Sequence, residues 1–254
     1  MRTSATDSAG PCQRPRRTPA PSELVRRTLA EAFGTGMLVT VIVGSGIAAQ
    51  RLTADDAGLS ALAANSTATA LGLATLILVL GPISGAHLNP AVSITTQLIG
   101  PGPTASATAH GCYLLAQLTG GVGGAILANL MFDLSALQLA TQQRVTPGHL
   151  IGEVVATAGL ILIVGTVGRT GPLPLTAAAV AAYIGAAQWF TSSTAFANPA
   201  VTIGRTLSDT YTGIAPTSVP AFLVAQLIGA GAGSGLAMLF CPRSVRQQPA
   251  TEPT

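Results

Sequence analysis

Asn89-Pro90-Ala91-Val92 and Asn198-Pro199-Ala200-Val201 set the same amide, imino acid and small residues twice in one chain. Each Asn carries a side-chain oxygen suited to capping a helix start and an NH2 group with two hydrogens to donate. The proline beside it fits the first helical position, where a missing N–H loses no hydrogen bond. Groups of this kind cap helices and donate hydrogen bonds; they break no covalent bond. One copy would mean little, because Asn-Pro starts turns in many chains. Two copies in matching surroundings mean much more.

The surroundings do match. Ala30-Glu31-Ala32-Phe33-Gly34-Thr35 is echoed by Gly152-Glu153-Val154-Val155-Ala156-Thr157, each placing one acid at the head of an apolar run. Leu114-Leu115-Ala116-Gln117-Leu118 is echoed by Leu223-Val224-Ala225-Gln226-Leu227. Gln117 follows Asn89 by 28 positions, and Gln226 follows Asn198 by the same 28. Each half therefore reads as an acid-headed helix, a second helix, an Asn-Pro-Ala loop and a Gln-bearing third helix, a duplication of three spans.

The elements that position these residues must lie in a bilayer. Only 8% of the 254 residues are charged and 48% are apolar, whereas a soluble domain carries about 25% charge. Residues 57–132, 170–204 and 210–242 contain no Asp, Glu, Lys or Arg, and each stretch exceeds the ~20 residues that one crossing needs. Spans are predicted at about 24–49, 60–81, 106–130, 149–168, 172–191 and 216–240. The resulting organisation is a tail at 1–22, a first repeat at 23–131, a connecting loop at 132–148, a second repeat at 149–241 and a tail at 242–254. Gly120, Gly121, Gly123 and Gly124, with Gly229, Gly231, Gly233 and Gly235, read as faces where helices pack closely.

All twelve basic residues are arginine. Arg2, Arg14, Arg16, Arg17, Arg26, Arg27, Arg169, Arg243 and Arg246 fall on one side of this arrangement, and Arg51, Arg144 and Arg205 on the other. That bias puts both termini in the cytoplasm, which requires an even number of crossings, and six fits. The basic tail is short, Pro-rich and without aromatics, which argues against a nucleic-acid partner. It is predicted to be disordered and not a cleaved signal. Cys12, Cys112 and Cys241 have no zinc or disulfide spacing. No metal or cofactor site is expected, and no nucleophile with a neighbouring base points to an enzyme.

Breaks at Gly100-Pro101-Gly102-Pro103 and Thr212-Gly213-Ile214-Ala215-Pro216 leave only about ten residues of helix after each Asn. Ten residues rise ~15 Å, half a membrane. Two such helices of opposite orientation would meet end to end at the midplane, their positive dipole ends converging.

These features resemble the aquaporin, or major intrinsic protein, family: both Asn-Pro-Ala motifs, Ser84-Gly85-Ala86-His87-Leu88 before the first, and the acids Glu31 and Glu153. The resemblance covers roughly residues 24–240. It implies an all-α membrane protein with six transmembrane helices and two re-entrant half-helices in an inverted three-helix repeat. It further implies a passive channel for water or small uncharged solutes, one pore per subunit of a homotetramer, in the inner (plasma) membrane. By the same resemblance Asn89 and Asn198 donate to the permeant, Pro90 and Pro199 start the half-helices, and Glu31, Glu153 and His87 support the re-entrant loops.

The family narrows its outer side at four side chains, one an Arg directly after the second motif. Here that position is Val201, and a gapless count puts the other three on Thr69, Ala186 and Ala195. Small residues at all four imply a wide opening, suited to glycerol-like polyols or undissociated arsenous acid; a water channel with a relaxed filter is the alternative. A Val in place of the filter Arg resembles a bacterial subgroup linked to metalloid efflux. Arg205, one turn beyond Val201, reads either as an outer vestibule residue held by Asp209 or as a solvated pair at a loop end. An ion-coupled secondary transporter also uses inverted repeats and broken helices, and is the rival from another class.

Overall fold

Apolar runs in a bilayer must satisfy their backbone groups internally, and helices do so. The computed structural model describes residues 21–52, 58–99 and 106–241. Among the described residues are six helices long and apolar enough to cross a membrane. They are α1 (Pro21–Leu52), α2 (Leu59–Ser84), α4 (Ala107–Met131), α5 (Pro147–Thr170), α6 (Leu173–Phe190) and α8 (Val219–Phe240), with the short α3 (Pro90–Ile99) and α7 (Pro199–Gly204) between them. Tail residues 1–20 and 242–254, Cys12 and the Gly100–Pro103 break lie outside the described residues.

Leu71, Val79, Leu115, Leu127, Ile151, Val155, Val224 and Ile228 are exposed, as they must be where hydrocarbon is the solvent. Inside, α1 packs on α4 and α5 on α8 in the same way. The seams are built by glycine: a Cβ on Gly120 or Gly124 would overlap the carbonyl oxygen of Ala32 or Gly36 in α1. Gly229 and Gly233 meet Val154 and Ala158 of α5 in the same manner. Gly123, Gly231 and Gly235, predicted as contact positions, face open space instead. A period of four selects one stripe of a helix, and these three fall off it.

Two helix ends differ from the predicted ones. α2 continues through Pro82 to Ser84 and stops where Gly85 turns left-handed at φ 94° and donates its N–H to the Gly81 carbonyl. The stop is therefore a glycine cap, not the proline. α7 is six residues long and tightens into a 3-10 turn at Arg205–Leu207. The carbonyls of that turn are engaged from outside it: Ala140 of the connecting loop donates its N–H to Thr206 at 2.9 Å, and Asn129 Nδ2 of α4 donates to Leu207 at 2.8 Å.

Candidate functional site

Glu31 and Glu153 are fully buried, each on the first helix of its half. Glu31 accepts the backbone N–H of His87 at 3.0 Å and of Leu88 at 2.7 Å, together with the Ser84 hydroxyl at 2.6 Å and Gln117 Nε2 at 2.7 Å. Glu153 accepts the N–H of Phe196 at 2.8 Å and of Ala197 at 2.9 Å, and Gln226 Nε2 at 2.7 Å. The equal Asn-to-Gln spacing has its physical reason here. Gln117 donates also to Ser93 Oγ at 2.9 Å, and Gln226 to Thr202 Oγ1 at 2.8 Å. Each glutamine ties an acid to the residue one turn into a half-helix.

Those bonds hold the loops in a costly shape. Ala86, Leu88, Thr194, Ala195 and Ala197 all adopt positive φ between 46° and 60°, a conformation that disfavours side chains by about 1–3 kcal/mol each. In a trans peptide the N–H and the preceding carbonyl point opposite ways. With the N–H groups of residues 87 and 88 turned to Glu31, the carbonyls of Ala86 and His87 face away from it, on the side of the cavity those residues line. Glu153 does the same for the carbonyls of Ala195 and Phe196.

The two asparagines join the loops. Asn89 Nδ2 donates to the Ala197 carbonyl and Asn198 Nδ2 to the Leu88 carbonyl, both at 2.8 Å. Their Oδ1 atoms cap the half-helices, accepting from Ala91 at 2.8 Å and from Ala200 at 2.9 Å. One hydrogen of each NH2 remains, and both residues line the cavity. Capping and lining coexist at each Asn. Pro90 and Pro199 occupy the first helical position of α3 and α7, and Ala91 and Ala200 are fully buried behind them. His87 lines the cavity, with Nδ1 3.0 Å from Ser93 Oγ and its ring edge-on to Tyr113.

One cavity of about 440 Å³ runs past both asparagines, from Arg169 and Gly171 at one end to Asn65 and Arg205 at the other. Its wall is mostly apolar, contributed by Leu38, Ile42, Leu73, Ile77, Leu160 and Val180 among others. Of the four residues counted as a filter, Thr69, Ala195 and Val201 line it. Ala186 does not: it is exposed on the outside of α6, and Ile184 and Gln188 face the cavity. A count along the sequence cannot see which residues of α6 turn inward. Gln188 was legible by another signal, as the one amide in the apolar run of α6, since a polar group at such depth needs a function.

Arg205 is buried and lines the cavity, its Nε donating to the Thr212 carbonyl and its Cζ lying 3.5 Å from the Phe196 ring centroid. Asp209 does not hold it. That carboxylate is exposed and accepts instead from Thr141 N at 2.8 Å and Oγ1 at 3.1 Å. Phe196 is fixed edge-on to Phe222 at 5.2 Å. Arg144 approaches the same ring at 5.4 Å, and donates to the carbonyls of Gly213 and Tyr211. Burial pulls its pKa down to about 10.

The major intrinsic protein family model matches residues 20–172. The chain belongs to this family. Among its relatives, aquaglyceroporin AqpS of Rhizobium meliloti (strain 1021) is 45% identical over 212 residues, 82% of this chain and 87% of that protein. A glycerol uptake facilitator protein of Streptococcus pneumoniae is 30% identical over 153 residues, 54% of this chain and 64% of that one. The fold is similar to the X-ray structure of the aquaglyceroporin from Plasmodium falciparum, with a TM-score of 0.67 over 86% of this chain and 98% of that chain at 21% identity. As a member of the major intrinsic protein family, the chain is an all-helical membrane protein.

Proposed function

We propose that the protein is a passive channel for small uncharged solutes, glycerol-like polyols or undissociated arsenous acid, with water. The observation that carries this reading is one cavity passing both Asn-Pro-Ala starts, apolar along most of its wall, with the two asparagine amides at its middle. A carbonyl or hydroxyl oxygen reaching the midplane meets two NH2 hydrogens at two positive helix ends, an arrangement that favours neutral oxygen compounds over cations. Thr69, Ala195 and Val201 are small side chains at their level of the wall, which supports passage of solutes larger than water. The names of the relatives, an aquaglyceroporin and a glycerol facilitator, agree with that size class.

The channel sits in the inner membrane with both termini cytoplasmic, where the arginine bias puts them, and works as a homotetramer. Glu31, Glu153 and His87 act as supports for the re-entrant loops and do not relay protons. Stopped-flow light scattering on proteoliposomes tests the reading. Glycerol and arsenous acid should enter faster than into empty vesicles, and Val201→Arg should cut that flux more than water flux. No solute flux above the lipid background ends the proposal.

A further inference from the structure

Three elements of the cavity wall place a small or apolar residue at one level and a polar residue four positions further from the midplane. On α2 the pair is Thr69 and Asn65; on α6 it is Ile184 and Gln188; from α7 onward it is Val201 and Arg205, and all six side chains line the cavity. Four positions are one helical turn, a rise of about 5.4 Å. From this placement we infer that the selectivity element of the channel is a polar ring of Asn65, Gln188 and Arg205, set one turn outside the Thr69–Val201 level and built to hold a hydroxyl group. The inference rests on the channel reading above.

Hydrogen bonds and contacts put the three residues at one level. Trp189 Nε1 donates to Ser66 Oγ at 2.9 Å, so the residues beside them, Gln188 and Asn65, come from turns that are tied together. Asn65 Nδ2 in turn donates to the Ile42 carbonyl at 2.8 Å and to Ser45 Oγ at 2.9 Å on α1. Next to Ser45, Gly46 has no room for a Cβ because Thr212 abuts it. Thr212 supplies the carbonyl that Arg205 Nε grips.

The free valences of the ring are complementary to a hydroxyl. Both hydrogens of the Asn65 amide are engaged on α1, which orients Oδ1 as the free acceptor. Gln188 makes no hydrogen bond among the described residues, although it is only 5% exposed. Arg205 uses Nε on Thr212, and its terminal nitrogens have no acceptor among the described residues. Stacking on Phe196 fixes the plane of the guanidinium. A solute O–H can therefore donate to Asn65 and accept from Arg205 or Gln188 at once. A desolvated cation meets a positive group with no carboxylate partner, so the ring also restores the barrier that Val201 leaves out.

The test uses full-length protein in proteoliposomes, with glycerol and water permeability read by light scattering and cation leak by an internal pH dye. Gln188→Leu keeps side-chain size and removes no internal hydrogen bond. It should lower glycerol permeability about fivefold, the factor that one lost uncharged hydrogen bond gives, with a smaller change for water. Arg205→Met should raise cation leak about tenfold or more. Arg205 also braces the loop, so if Arg205→Met does not fold, Gln188→Leu decides alone. Wild-type flux with unaltered glycerol selectivity in Gln188→Leu overturns the ring. A wild type that conducts nothing overturns the channel reading instead, and the two failures are distinguishable.

Discussion

A buried carboxylate in each half organises the site, and it does so through backbone donors that side-chain identity at the loops cannot supply. Glu153 receives two loop N–H groups and a glutamine amide. Charge-assisted bonds of this kind contribute more than neutral ones, and an orphaned buried donor is costly. Glu153→Gln turns an NH2 toward groups that are themselves donors. It should destabilise the protein by about 3 kcal/mol and lower its thermal midpoint in detergent. Gln226→Leu, which removes one donor and leaves the loop N–H groups paired, should cost less, about 1–2 kcal/mol. Equal losses would mean that the acid does no more than fill space. At this scale the acids, the asparagines and the matching glutamines were legible, because a polar residue in an apolar run stands out. Ala186 was misplaced because counting along a chain does not see which way a helix faces.

Two kinds of element carry the fold: helices that cross, and helices that stop halfway. The crossing helices approach each other along glycine stripes with a period of four, so that Gly120 and Gly124 admit the backbone of α1. Gly120→Ala should destabilise by about 1–3 kcal/mol through overpacking against the Ala32 carbonyl. Gly123→Ala, in open space, should be neutral or stabilising by up to about 1 kcal/mol, because alanine is the better helix former. Melting the two variants side by side checks the stripe assignment, and the reverse order would refute it. The half-helices were legible from Asn-Pro starts and Gly/Pro breaks. The 3-10 turn at Arg205–Leu207 was not, since its carbonyls at Thr206 and Leu207 are engaged by the connecting loop and by Asn129 of α4, contacts distant in the sequence.

For the whole molecule, the sequence has no lysine, and Glu31 and Glu153 are both committed to loop backbone N–H groups, which argues against either acid carrying a coupled proton through the middle. Solute flux should rise linearly with the gradient, without saturation, and should be unchanged when a pH or sodium gradient is imposed across the vesicle. Saturation with dependence on an ion would favour a transporter with inverted repeats. By itself the sequence determined the membrane setting, the six spans, the duplication and the paired helix starts, since hydropathy and repeated spacing are properties of the chain in order. Only the tertiary structure decided which faces turn inward: that Gln188 and not Ala186 meets the cavity, that Asp209 leaves Arg205 to Phe196, and that three of eight glycines touch nothing. Those outcomes depend on helix rotation and loop path, which are set by contacts between residues far apart in the sequence.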